Sequence, residues 1–147
     1  MNLHVVPDVR VSSSATEADV KELYGMARAT FGDFPGWSDA RVLEVIRRDL
    51  VFVALEHAQP AGYIALRNDP GTATIVAEQV FIAPGHEGRG IGRRLLAYAE
   101  GYAIAQRAHA LRIVAETDNW RARTFYRTLG FVPVEAELLE LVLPHRD

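Results

Sequence analysis

The sequence predicts an α/β (α+β) domain, a mixed and mostly antiparallel sheet flanked by helices, in the order β α α β β β α β α β β. Three observations lead there. Three apolar runs follow one another across hairpin-length turns, which implies an antiparallel meander. Four other stretches place apolar residues at helical spacing. A later strand–helix–strand unit permits one parallel pair within the same sheet. The chain has 147 residues, 49% of them hydrophobic and 24% charged. Single cores commonly reach about 100–150 residues, so one domain over 1–147 is expected.

Residues 9–12 alternate apolar and polar, as a short strand does. Thr16 followed by Asp19 reads as a helix start, and Val20, Leu23, Tyr24, Ala27 and Phe31 then recur on one helical face. The run from Gly32 to Gly36 breaks that helix. Ser38 caps a second, with Val42, Val45 and Ile46 on one side. Strands are predicted at 51–56 and 61–67, separated by His57, Ala58, Gln59 and Pro60, and a longer one at 73–82, ended by Pro84. Ile91, Leu95, Tyr98, Ala99 and Tyr102 mark a long helix. Residues 111–116 read as a strand, 120–129 as a helix stopped by Gly130, and 131–134 and 138–143 as closing strands. An apolar final strand at 138–143 offers an edge through which a homodimer could pair.

Composition removes several functions. Sixteen basic against 19 acidic residues give a net charge of −3 and a pI near 5.9, which argues against nucleic acid as the main partner. The chain has no cysteine, so an acylated enzyme thiol, a redox switch and cysteine-ligated zinc are excluded. The five histidines show no ligand spacing, and no metal site is assigned. The longest strongly apolar stretch, residues 50–55, is far short of the roughly 20 residues that span a bilayer. No secretory signal is visible, and a cytoplasmic location without membrane partners is expected.

The chemistry concentrates in a glycine loop. Of the 11 glycines, Gly85, Gly88, Gly90 and Gly92 fall between the long strand and the long helix. Glycine lets backbone amides turn inward and lets a ligand approach closely, and the helix that follows adds free N–H groups and the positive end of its dipole. Arg89, Arg93 and Arg94 add charge. The loop therefore suits a phosphate or diphosphate. The dinucleotide fingerprint is not met, because Arg93 stands where its third glycine belongs. The P-loop pattern also fails, since no Lys-Ser or Lys-Thr pair follows.

The run Glu87-Gly88-Arg89-Gly90-Ile91-Gly92 resembles the acetyl-coenzyme A pyrophosphate loop of the GNAT (GCN5-related N-acetyltransferase) superfamily, Q/R-x-x-G-x-G/A. A second GNAT-like signature follows in Asn119, Ala122, Phe125, Tyr126, Gly130 and Phe131. Detailed similarity covers about residues 78–131. Glu87 departs from the pattern, standing where Gln or Arg is usual. Its side chain is expected to turn away from a diphosphate while its backbone contributes, with Arg89 and Arg93 compensating.

The resemblance implies an acetyl-CoA-dependent N-acetyltransferase with the GNAT fold, acting on a small-molecule or peptide primary amine by direct attack in a ternary complex. It implies cofactor contacts from Val80, Phe81 and Ile82, with the Ile82 amide as oxyanion donor, from residues 87–93 including Arg93, and from Asn119 and Phe125. Tyr126 is the implied acid for the departing thiolate; an unperturbed phenol, with a pKa of about 10, is protonated at neutral pH. Glu78, in an otherwise apolar strand, matches the glutamate base of the histone acetyltransferase branch; the competing reading is an outward carboxylate paired with a surface cation. Phe31, Phe34 and Trp37 fall where GNAT proteins build the acceptor pocket. Glu135, Glu137 and Glu140 could attract a cationic amine or simply form a solvated face. The alternative function is a non-catalytic acyl-CoA sensor.

Overall fold

A computed structural model of the chain describes residues 10–12, 25, 50–57 and 59–144. Gly25 is helical; otherwise the two helices expected before residue 50 lie outside the described residues. The described strands are β1 (Arg10–Ser12), β2 (Leu50–Glu56), β3 (Gln59–Asp69), β4 (Thr74–Ile82), β5 (Ala110–Val114), β6 (Val132–Glu135) and β7 (Leu138–Val142). They are ordered β1-β2-β3-β4-β5-β7-β6 in one sheet. Two helices join them, α1 (Ile91–Ala105) and α2 (Trp120–Thr128). The predicted order of elements is the observed one wherever the chain is described. The described residues divide into two compact units, one within Met1–Ala65 and Val80–Tyr98, the other within Leu66–Gln79 and Ala99–Asp147.

In the first unit, β1 pairs antiparallel with β2, Arg10 opposite Leu55 and Ser12 opposite Val53. Residues 51–54 are buried without alternation, so both faces of β2 are covered. Residues 60–65 of β3 are buried likewise, and Tyr63 packs its ring 5.6 Å from that of Phe81. Gly62 explains how closely β3 and β4 approach. A Cβ there would lie 2.5 Å from the Phe81 carbonyl oxygen, so only glycine fits.

In the second unit, β4 and β5 run parallel, with Thr74 opposite Ala110 and Ala77 opposite Ile113. β7 is antiparallel to β5 on one side and to β6 on the other, where the ladder shifts register between Pro133 and Glu135. This corrects the placement of residues 138–143 as an edge open to a second copy. β7 has neighbours on both sides, and Leu139 and Leu143 are buried, so no edge is free there. The terminal strand is β6, exposed along its length.

Helix α1 also differs in detail from its sequence reading. Ile91, Leu95, Leu96, Ala99 and Ala103 form its buried stripe, whereas Tyr98 is exposed. At its end Arg107 takes a φ of 58° so that its amide reaches the Ile104 carbonyl and the Ala108 amide reaches that of Ala103. That is a Schellman closure with arginine where glycine is usual.

Candidate active site

The loop after β4 owes its shape to three glycines. Gly85, Gly88 and Gly90 have φ of 88°, 76° and 78°, in the left-handed region that side chains disfavour. A Cβ at any of them would meet no atom within 4 Å. Glycine is needed there for conformation, not for space. The loop delivers the chain into α1, whose first helical bond runs from the Arg94 amide to the Gly90 carbonyl at 3.0 Å. The amides of Ile91, Gly92 and Arg93 therefore open the helix without intrahelical acceptors, and no acidic side chain sits in that first turn. Glu87 is exposed, as is Arg93. Arg89 differs from expectation: its Nη1 donates to Oε1 of the buried Glu56 at 2.5 Å, so its charge is already matched.

The end of β4 supplies a second feature. Its ladder with β5 stops at the Ala77–Ile113 pair, yet the strand continues to Ile82. The Ala83 amide donates to the Ala61 carbonyl at 2.8 Å, and the Phe81 carbonyl faces Gly62, so both residues turn their main chain toward β3. Strand geometry alternates, and the main-chain groups of Val80 and Ile82 accordingly face the other edge. This sorts the three residues expected to meet the cofactor. Val80 and Ile82 present amides and carbonyls along an unladdered edge. Phe81 commits its backbone to β3 and its ring to the core, where it is 2% exposed.

The remaining predicted residues lie in the second unit. Asn119 caps α2 by accepting a hydrogen bond from the Ala122 amide at 3.3 Å. Gly130, with φ of 99°, ends the helix. Its amide reaches the Arg127 carbonyl, and the Phe131 amide reaches that of Tyr126 at 3.1 Å. The apolar contact that accompanies such a closure is Tyr126 against Phe131, ring centroids 6.0 Å apart, and the Phe125 ring lies 5.8 Å from that of Tyr126. Helix end and aromatic packing thus fix Tyr126 together. Burial pushes its phenol up to about 12.

Glu78 is half-buried, and Arg67 Nε donates to its Oε1 at 2.6 Å. Glu140 is no solvated charge: it is buried, with Arg112 at 3.3 Å and His109 at 3.7 Å. Glu135 and Glu137 are exposed. Phe31, Phe34 and Trp37 lie outside the described residues.

Sequence reasoning missed two residues that shape this region. Glu56 was given no role of its own at the end of the strand at 51–56, and its partners are 30 and 33 residues away. Arg123 donates through Nη1 to the carbonyls of Ala115 and Ala136, each at 2.9 Å, tying α2 to the end of β5 and to the turn before β7. Nothing local in the sequence signals either contact.

A family model described as the Acetyltransferase (GNAT) family matches residues 19–131, and the chain belongs to that family. It is 31% identical over 80 residues to the mycothiol acetyltransferase of Jonesia denitrificans, covering 54% of this chain and 26% of that protein. It is 34% identical over 71 residues to the streptothricin acetyltransferase of Streptomyces lavendulae, covering 48% and 38%. The chain thus spans well under half the length of these two relatives. Among solved structures, a PaiA N-acetyltransferase from Thermoplasma acidophilum in complex with coenzyme A shares the fold. Its TM-score is 0.72 at 17% identity, over 90% of this chain and 97% of that one.

Proposed function

We propose that the chain is an acetyl-CoA-dependent N-acetyltransferase that acylates a primary amine by direct attack. The observation that carries the reading is the pairing of the left-handed glycine turn with the unladdered end of β4. The turn offers main-chain donors for a diphosphate, and the strand edge offers amide and carbonyl groups for an extended amide-bearing arm. The residues present fit acetyl-CoA on both counts, and bound there it would supply the activated acyl group as a thioester.

This chain's residues then have distinct tasks. The amides from Gly88 to Arg93 hold the diphosphate with little help from Arg89. Val80 and Ile82 bond the pantetheine arm, and the Ile82 amide donates to the thioester carbonyl oxygen, where negative charge builds. Tyr126 donates a hydrogen bond to the departing sulfur. With its phenol near 12, full transfer to an ordinary thiolate with a pKa of about 8.5 would be uphill by about 5 kcal/mol. Desolvation of the sulfur raises the thiol's own pKa and narrows that gap. The hydroxyl therefore acts first as a donor and releases its proton only as charge accumulates. Glu78, whose Oε1 accepts from Arg67 Nε, takes the ammonium proton directly or through a water.

One observation favours the non-catalytic sensor instead, namely the Arg67 ion pair that occupies Glu78. Thiol release over time, measured with acetyl-CoA and a panel of primary amines, separates the two. Turnover on at least one amine, diminished by Tyr126→Phe, supports the enzyme. Coenzyme A binding without turnover on any amine, with Tyr126→Phe silent, supports the sensor.

A further inference from the structure

The glycine loop has a tether that the acyl-transfer reading does not use. Glu56, the last residue of β2, is 2% exposed although it carries a carboxylate. Its Oε1 accepts from Arg89 Nη1 and lies 3.0 Å from His86 Nδ1. Its Oε2 is buried with no hydrogen-bond partner. Burying a carboxylate costs several kcal/mol unless it is paired, and a half-satisfied one is a standing cost to the fold. Both groups that match it come from the loop itself. His86 and Arg89 bracket Gly88, and they are the loop's side-chain attachments among the described residues.

Among the described residues, the loop has few other restraints. Its left-handed glycines have open space where side chains would stand. Its main-chain bonds are the His86 amide to the Ala83 carbonyl at its start and the Arg94 amide to the Gly90 carbonyl at its end. Among the described residues, no further main-chain bond is made between those points.

We infer that Glu56 is a positioning residue for the anion turn: a buried carboxylate that holds His86 and Arg89, and through them sets the amides that begin at Gly88 for a diphosphate. The inference rests on the coenzyme A reading of the loop and adds to it a residue outside both sequence signatures. In this arrangement Arg89 faces inward as part of the clamp and is not a phosphate ligand. A competing arrangement, in which Arg89 leaves Glu56 to meet the phosphate, makes the opposite prediction. There Glu56 competes with the ligand, and removing its charge frees Arg89.

The experiment is calorimetric titration of wild type and Glu56→Gln with coenzyme A and, in parallel, with pantetheine, which lacks the diphosphate. The clamp predicts that Glu56→Gln weakens coenzyme A about tenfold, roughly 1.4 kcal/mol, and leaves pantetheine binding unchanged. A merely structural role would weaken both ligands together. If Glu56→Gln does not fold, Arg89→Gln and His86→Gln break the clamp from its exposed side and should each weaken coenzyme A alone. Where all three fold, the Glu56→Gln/Arg89→Gln double variant should be no weaker than the worse single one, since both remove the same contact. Unchanged or tighter coenzyme A binding by Glu56→Gln, or by both loop variants, overturns the clamp while leaving the coenzyme A reading intact. A wild type that binds pantetheine but gains nothing from the diphosphate overturns both.

Discussion

Tyr126 shows how one side chain can serve packing and chemistry together. Its ring contacts both Phe125 and Phe131, and its carbonyl closes α2 by accepting from the Phe131 amide, so the hydroxyl's position follows from structural needs. Tyr126→Phe keeps those contacts and removes only the donor. Steady-state kinetics should show kcat reduced about a hundredfold with the KM for acetyl-CoA nearly unchanged. The motif exposed this residue in the sequence, and the structure adds its buried setting. Arg107 is the opposite case, a residue with no sequence signal whose φ of 58° costs roughly 1 kcal/mol. Arg107→Gly should stabilise the protein by up to about that amount, measured by urea unfolding, because glycine occupies the C′ position of such closures without strain.

At the scale of elements, two glycine positions separate conformation from space. Gly90 has a left-handed φ of 78° and open surroundings, whereas Gly62 faces the Phe81 carbonyl oxygen at 2.5 Å from a built Cβ. Gly90→Ala should cost about 1–2 kcal/mol of stability through backbone strain and should weaken coenzyme A measurably in calorimetry. Gly62→Ala should cost about 1–3 kcal/mol, because β3 and β4 must separate to admit a methyl group. The glycine loop was legible because four glycines before a helical pattern have few other uses. Gly62 was not, since its reason lies in a neighbouring strand. The strands themselves were legible from apolar runs bounded by turn residues. The neighbours of β7 were not: Leu138 to Val142 reads the same at an edge as inside a sheet, and only the pairing with both β5 and β6 decides it.

For the molecule as a whole, buried phenols set an alkaline limit. Unfolded tyrosine titrates near 10, while burial raises Tyr126 to about 12 and Tyr63 higher still. The folded state holds these protons more tightly than the unfolded one. The stability they confer is complete below pH 10 and is lost as pH climbs toward 12, with Tyr126 accounting for roughly 2–3 kcal/mol of the loss. Urea midpoints measured from pH 9 to pH 12 should fall across that window, and fall less in Tyr126→Phe. Element order was readable along the described chain because periodicity is local. Long-range electrostatics were not, since Glu56 gains its meaning only when β2 meets a loop some thirty residues on. No described helix is long and apolar enough to cross a membrane. A crystal structure of the protein grown with acetyl-CoA tests the placement of the cofactor most directly. The diphosphate should lie within hydrogen-bonding distance of the amides from Gly88 to Arg93, with the pantetheine arm bonded to Val80 and Ile82. A diphosphate bound elsewhere, with that turn empty, would contradict that placement.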